Sequence, residues 1–239
     1  ATATTAIVSR AYGAGDHHEV PEAAGQAISW GFVTSILLGV IGLLIAPYCS
    51  QMMIPADSPG AMDLMTKFQY VYIFGLPGIF IVQVLAGCMR GVGDSRSPIW
   101  ISGIQILLHI VLNFFLIFPP HNGIPGAGLG ILGAALALTL SATIASGLYM
   151  VLAKRTGLGK VNFFAKPSLA WGLRFFRLGL PAAMMNAVRV FSLTIFSFIL
   201  KTLPNGAEAI ASLRPGFAIE SVMFMPAFGL GIAATALVG

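Results

Sequence analysis

Charge is what this sequence most lacks: charged residues fill 9% of its 239 positions, against roughly 25% in soluble domains. That shortage excludes a water-soluble globular fold. Cysteine is nearly missing too. Cys49 and Cys88 share no C-x-x-C spacing and have no neighbouring histidine, which argues against a zinc or thiol-redox motif and reads as two buried, inert thiols. A phosphate-binding loop is absent: Gly91-Val-Gly-Asp94 lacks a following Lys-Ser/Thr and reads as a tight turn. No ATP-driven step and no soluble-enzyme motif is legible, so the expectation is a protein that is not an enzyme. The chain opens on Ala1-Thr-Ala-Thr-Thr-Ala6 with neither Met nor a basic n-region. The numbering is therefore expected to begin inside a larger protein.

What is present is apolar length: 57% of residues are hydrophobic, and a bilayer crossing needs about 20 of them in succession. Gln26 to Tyr48, Phe68 to Met89, Ile99 to Phe118 and Gly130 to Ala153 are uncharged, and Leu178 to Leu200 carries only Arg189. Ala1 to Tyr12 reads as the tail of an earlier helix, and Glu208 to Gly239 as a final helix interrupted by Arg214 and Glu220. The expected fold class is an all-α polytopic membrane protein of about seven helices.

The Lys/Arg bias of the loops sets orientation. Alternate connections place Arg10, Arg90, Arg96, Lys154, Arg155, Lys160, Lys166, Arg174 and Arg177 on one side, the cytoplasmic one, and only Lys67 and Lys201 on the other. Topology thus explains the net charge of +5, and nucleic acid is discounted as a partner. The stretch Lys154 to Arg177, with Pro167, Trp171 and Phe175-Phe176, reads as an amphipathic interfacial linker. It divides the chain into 1–153, the linker 154–177, and 178–239. Thr4-Thr5-Ala6-Ile7-Val8 resembles Ala234-Thr235-Ala236-Leu237-Val238 at an offset of 235 − 5 = 230 residues, as a protein of repeated halves would show.

Charged and polar groups at bilayer depth cost on the order of 2.5 to 3.5 kcal/mol on insertion scales and need a reason. Arg189 stands 204 − 189 = 15 residues before Pro204 and Glu220 stands 220 − 204 = 16 after it, so a hairpin brings them to similar depth. Two readings stand open. The pair neutralises itself and fixes register, or Glu220 takes up a proton or cation while Arg189 holds it ionised. Gln105, His109 and Asn113 recur every four residues as one polar stripe, read either as helix-to-helix hydrogen bonding or, through His109, as a proton-sensitive group. Thr139, Thr143 and Ser146 form a face for close packing of small residues. Pro77 and Pro226 lie inside spans and Pro181 near a helix start. Met184, Met185, Met223 and Met225 read as core filler, with an adaptable ligand lining as the alternative.

Four stretches together resemble the multidrug and toxic compound extrusion (MATE) family: Val8 to Asp16 (VSRAYGAGD), Met89 to Pro98 (MRGVGDSRSP), Gly126 to Ala135 (GAGLGILGAA) and Ile219 to Gly231 (IESVMFMPAFGLG). The resemblance implies two six-helix lobes related by pseudo-twofold symmetry, of which this chain would hold helices 2 to 8. It also implies a central cavity and a secondary active antiporter exporting lipophilic or cationic compounds. The resemblance implies coupling to H+ or Na+ with no other cofactor, and a monomer in the cell inner membrane. A lipid-linked oligosaccharide or lipid flippase of the same superfamily is the alternative; a channel or non-transporting scaffold ranks below both. Asn113 matches a family Asn that often precedes an Asp by four positions; here that position is Ile117. The candidate cation-coupling or cavity residues are Glu220, Arg189, Asn113, His109, Gln105 and Asn186.

Overall fold

The computed structural model describes residues 2–16, 18–54, 59–120, 125–158, 160–202 and 206–238. These residues form helices α1 (Thr2–Gly13), α2 (Glu19–Met53), α3 (Pro59–Gly91), α4 (Arg96–Ile117), α5 (Ile131–Ala153), α6 (Leu169–Lys201) and α7 (Gly206–Val238). Five helices, α2 to α6, are long and apolar enough to cross a membrane, and each expected apolar stretch lies almost wholly within one of them. The external turn at Pro204 lies outside the described residues, as does the side chain of Arg214.

The start of α6 corrects one expectation. The helix begins at Leu169 and runs unbroken into the apolar stretch, so Pro181 sits inside it. The amphipathic segment from Trp171 to Arg177 forms the first turns of α6, because nothing in it terminates a helix before the hydrophobic run begins. Only residues 154–168 of the expected linker lie between helices.

α3 occupies the middle, packed against α1, α2 and α5; α4 lies on α5, and α6 and α7 lie together beside α1, with α6 also touching α2. The tightest packing is at the basic end, where Ile7, Val8, Leu85, Met89 and Tyr149 are fully buried. Two of the helix connections there are the same turn. Asp16 N–H reaches the carbonyl of Ala11 at 3.0 Å, and Asp94 N–H that of Met89 at 2.9 Å. The preceding Gly15 and Gly93 take left-handed backbone at φ +71° and +82°, the conformation that only glycine adopts at little cost. Each Asp side chain then accepts N–H groups at the next helix start: Asp16 from His18 and Glu19, Asp94 from Ser97. The tight-turn reading of Gly91-Val-Gly-Asp94 holds.

The α3–α5 contact is a seam of small residues. A Cβ on Gly75 would meet Thr139 Oγ1 at 2.6 Å, and one on Gly78 would meet the Thr143 backbone at 3.2 Å. Thr139 Oγ1 donates to the carbonyl of Val71 at 3.2 Å. The close packing expected of Thr139 and Thr143 is thus realised, with backbones in near contact as membrane helices favour. On the opposite end, the Gly-rich approach to α5 caps α4. Ala127, Gly128, Leu129 and Gly130 N–H groups donate to the carbonyls of Phe115, Phe118, Leu116 and Ile117 at 2.8 to 3.1 Å. Those carbonyls are the ones a helix C-terminus leaves unpaired, and in hydrocarbon they must be satisfied internally.

Candidate functional site

The polar stripe on α4 faces α5. Asn113 Nδ2 and His109 Nε2 are 3.0 Å apart, and His109 Nδ1 lies 3.5 Å from Ser141 Oγ. Ser141 is fully buried and donates to the carbonyl of Leu138 at 3.0 Å. With the amide as donor, Nε2 accepts and the ring proton resides on Nδ1, directed at Ser141. Asn113 Oδ1 is buried without a hydrogen-bond partner. Rotating that amide by half a turn would present Oδ1 to Nε2, so the same three residues can satisfy a neutral or a doubly protonated imidazole. Gln105 continues the stripe toward the basic end, half-buried and outside this relay. Helix-to-helix hydrogen bonding, one of the two readings of the stripe, is therefore realised through His109 and Ser141.

The second candidate group does not assemble as one. Arg189 and Glu220 are both exposed, and the ion pairs among the described residues are Lys67–Asp63 and Arg174–Glu19. Equal depth on a hairpin does not by itself make a pair, and no ion pair joins Arg189 and Glu220 among the described residues. Asn186 Nδ2 donates at 2.9 Å to the carbonyl of Ala182 on its own helix. Met184, Met185, Met223 and Met225 are 59% to 77% exposed within this chain, so neither the core-filler reading nor the ligand-lining alternative is decided by the described residues. Cys88 is buried as expected, but Cys49 is only half-buried, because it lies near the outer end of α2, where packing thins.

A polar cluster that the sequence does not announce ties α2 to the linker. Gln26 Nε2 donates to the carbonyl of Lys166 and its Oε1 accepts the Ser168 N–H, both at 2.9 Å. Ser29 Oγ donates to the carbonyl of Ala165 at 2.6 Å, and Trp30 Nε1 to that of Ser168 at 2.9 Å. On the first turns of α6, Arg174 pairs with Glu19 and lies over the Trp171 ring at 4.9 Å. Trp171 Nε1 donates to Glu22 Oε1 at 3.0 Å. The available signal was the spacing of Glu19, Glu22, Gln26 and Trp30, which puts all four on one side of a helix.

Cavities border α2 toward both of its ends. One of about 540 Å3 lies between its outer end, Met52 and Met53, and α6 at Phe191, Thr194 and Phe198. The other, about 590 Å3, lies near the basic end between α2, α3, α5 and the linker. None of the six predicted site residues lines either cavity.

Comparison with known proteins places this arrangement. The MatE family model matches residues 1–115. A relative from Thermotoga maritima described as "Probable multidrug resistance protein NorM" is 33% identical over 98% of this chain and 49% of its own length. The chain thus spans about half the length of the curated relatives it matches. Among solved structures, an outward-facing conformation of a multidrug resistance MATE family transporter of the MOP superfamily superposes with a TM-score of 0.73. It is 22% identical and covers 98% of this chain and 51% of its own. A MOP superfamily transporter from Pyrococcus furiosus, described as having a binding pocket of reverse polarity, gives 0.76 at 22% identity over 98% of this chain and 50% of its own. With a multi-pass helical membrane fold, a NorM likeness along 98% of its length and a MatE match over residues 1–115, the chain is similar to the MATE family over about half the length of its relatives.

Proposed function

We propose that the whole protein is a secondary active antiporter of the inner membrane that exports lipophilic or cationic compounds by alternating access, driven by a proton or sodium gradient. The observation that carries this reading is the Asn113–His109–Ser141 relay between two membrane helices. An ionisable group at that depth marks an ion or substrate pathway by default, and this one has geometry for two protonation states. The multidrug names of the relatives support the substrate class. Ile117 stands where many prokaryotic members carry an acid, so coupling through the first lobe rests on His109 and Asn113, with Glu220 as the second-lobe candidate. Transport here makes and breaks no bond of the substrate, and the working unit is a monomer with no nucleic-acid partner.

The test is drug flux in proteoliposomes carrying the full-length protein. Flux should follow an imposed proton or sodium gradient and stop when both are dissipated; conductance that persists without a gradient would make it a channel. One observation favours a second reading, a flippase of lipids or lipid-linked oligosaccharides. Arg189 is exposed at mid-span on α6 with no carboxylate paired to it among the described residues, as an anionic cargo would require. Fluorescent-lipid scrambling in the same vesicles distinguishes the two.

A further inference from the structure

The cavity of about 590 Å3 at the basic end has a composition that the transport reading does not use. Its inner wall is hydrocarbon, contributed by Val33 of α2, Ile81 of α3 and Val151 of α5; its mouth carries Lys154, at the end of α5, with Phe163 and Phe164 of the linker. Val33 and Val151 are 41% and 56% exposed, so the cavity opens sideways between the helices rather than toward water alone. Phe164, at 93% exposure, stands out from the linker at the level where aromatic residues anchor in lipid headgroups.

The charge at the mouth has one sign. Lys154 Nζ sits 6.0 Å from the Phe163 ring centre and takes part in no ion pair among the described residues. From Lys154 to Arg177 the sequence contains no acidic residue, while Arg155, Lys160 and Lys166 add positive charge. A cationic drug is repelled from such a mouth, and free phosphate gains nothing from an apolar wall. The chemistry that satisfies both parts is an anionic head joined to an acyl chain. Basic pockets between helices on the cytoplasmic side bind such headgroups, and the volume lies within the roughly 300 to 1,000 Å3 of ordinary ligand sites.

We propose that this cavity is a binding site for an anionic phospholipid of the leaflet on the basic side, its headgroup on Lys154 and one chain between α2 and α5. The linker that closes the site is itself held to α2 through Ser29 and Trp30, so the bound lipid bridges α2, α3, α5 and the linker. This inference is independent of what the protein transports.

Native mass spectrometry of the full-length protein, offered equal amounts of phosphatidylglycerol and phosphatidylcholine with matched chains, tests it. Wild type should retain phosphatidylglycerol about fivefold better, the equivalent of about 1 kcal/mol for one lysine near the surface. Lys154→Gln should abolish that preference. Val151→Trp, which fills the cavity, should lower retention of both lipids while leaving the thermal unfolding midpoint close to wild type. Lys67→Gln, removing a charge on the opposite side, should change nothing. Equal retention of the two lipids by wild type, or a Lys67→Gln effect as large as that of Lys154→Gln, would overturn the proposal. So would Lys154→Gln and Val151→Trp proteins that both bind phosphatidylglycerol as wild type does.

Discussion

Gln26 on α2 meets the linker with both ends of its amide, donating to the carbonyl of Lys166 and accepting the N–H of Ser168. One side chain thereby satisfies two backbone groups in a segment that has no regular structure of its own. Replacing it with Ala leaves a carbonyl and an N–H without partners in a half-buried site, a cost of about 1–3 kcal/mol for each group left unpaired. Gln26→Ala should therefore lower the unfolding temperature of the detergent-solubilised protein and expose the segment around Ala165 to protease. Gln26→Glu, which keeps the acceptor only, should fall between the two. Identical cleavage of wild type and Gln26→Ala would refute the role assigned to this residue.

The α3–α5 seam predicts opposite outcomes for two glycines. Gly75→Ala drives a methyl group to 2.6 Å from Thr139 Oγ1 and should destabilise by about 1–3 kcal/mol, as overpacking does. Gly147, on α5, has nothing within 4 Å of its would-be Cβ. Gly147→Ala should be neutral or stabilising by up to about 1 kcal/mol, the helix-propensity gain. Unfolding curves of the two variants side by side are the check, and equal shifts would contradict the seam.

For the relay, the expectation concerns the shape of a pH profile. His109→Gln preserves a hydrogen-bonding side chain but removes the proton, so the pH dependence of gradient-driven flux should flatten. Asn113→Leu removes the ring's hydrogen-bond partner on its own helix and should change the profile more than Ser141→Ala does. Ser141→Ala, losing the longer 3.5 Å contact, should move it least. An unchanged profile in His109→Gln would remove this residue from the coupling.

Arg189 and Glu220 should behave as independent groups. In a double-mutant cycle of Arg189→Ala and Glu220→Gln, the coupling should stay within about 0.5 kcal/mol, as for residues without shared partners. Glu220→Gln alone should lower efflux if that carboxylate carries the coupling ion. A large coupling with intact transport would restore the register-fixing pair instead.

Legibility in the sequence followed the range of the interaction. The spans were readable because hydrophobicity is a local property, and His109 stood out because a lone histidine in an apolar stretch needs an explanation. The direction of the polar stripe onto Ser141 was not readable, since it depends on a neighbour 32 residues away. Equal depth suggested a partner for Arg189, but depth says nothing about facing, and no ion pair joins it to Glu220 among the described residues. Gln26 looked like an ordinary polar residue at the start of a span; its partner Lys166 lies 140 residues further on. Gly126 to Gly130 carried a family likeness without a reason, and the reason is visible only once four of its N–H groups lie over the end of α4.

Close approach of α5 to the α3 backbone, through the Thr139 side chain at Gly75 and the Thr143 main chain at Gly78, also fixes how this lobe deforms. Helices that meet through long side chains slide past one another as rotamers readjust, whereas two helices touching at the main chain have no such slack. α3 and α5 should therefore travel as a single keel, with α4 hung on one flank and α1 and α2 on the other. In the proposed alternating-access cycle, the motion is taken up around this keel, at the contacts of α6 and α7 with α1 and of α6 with α2, and not within it.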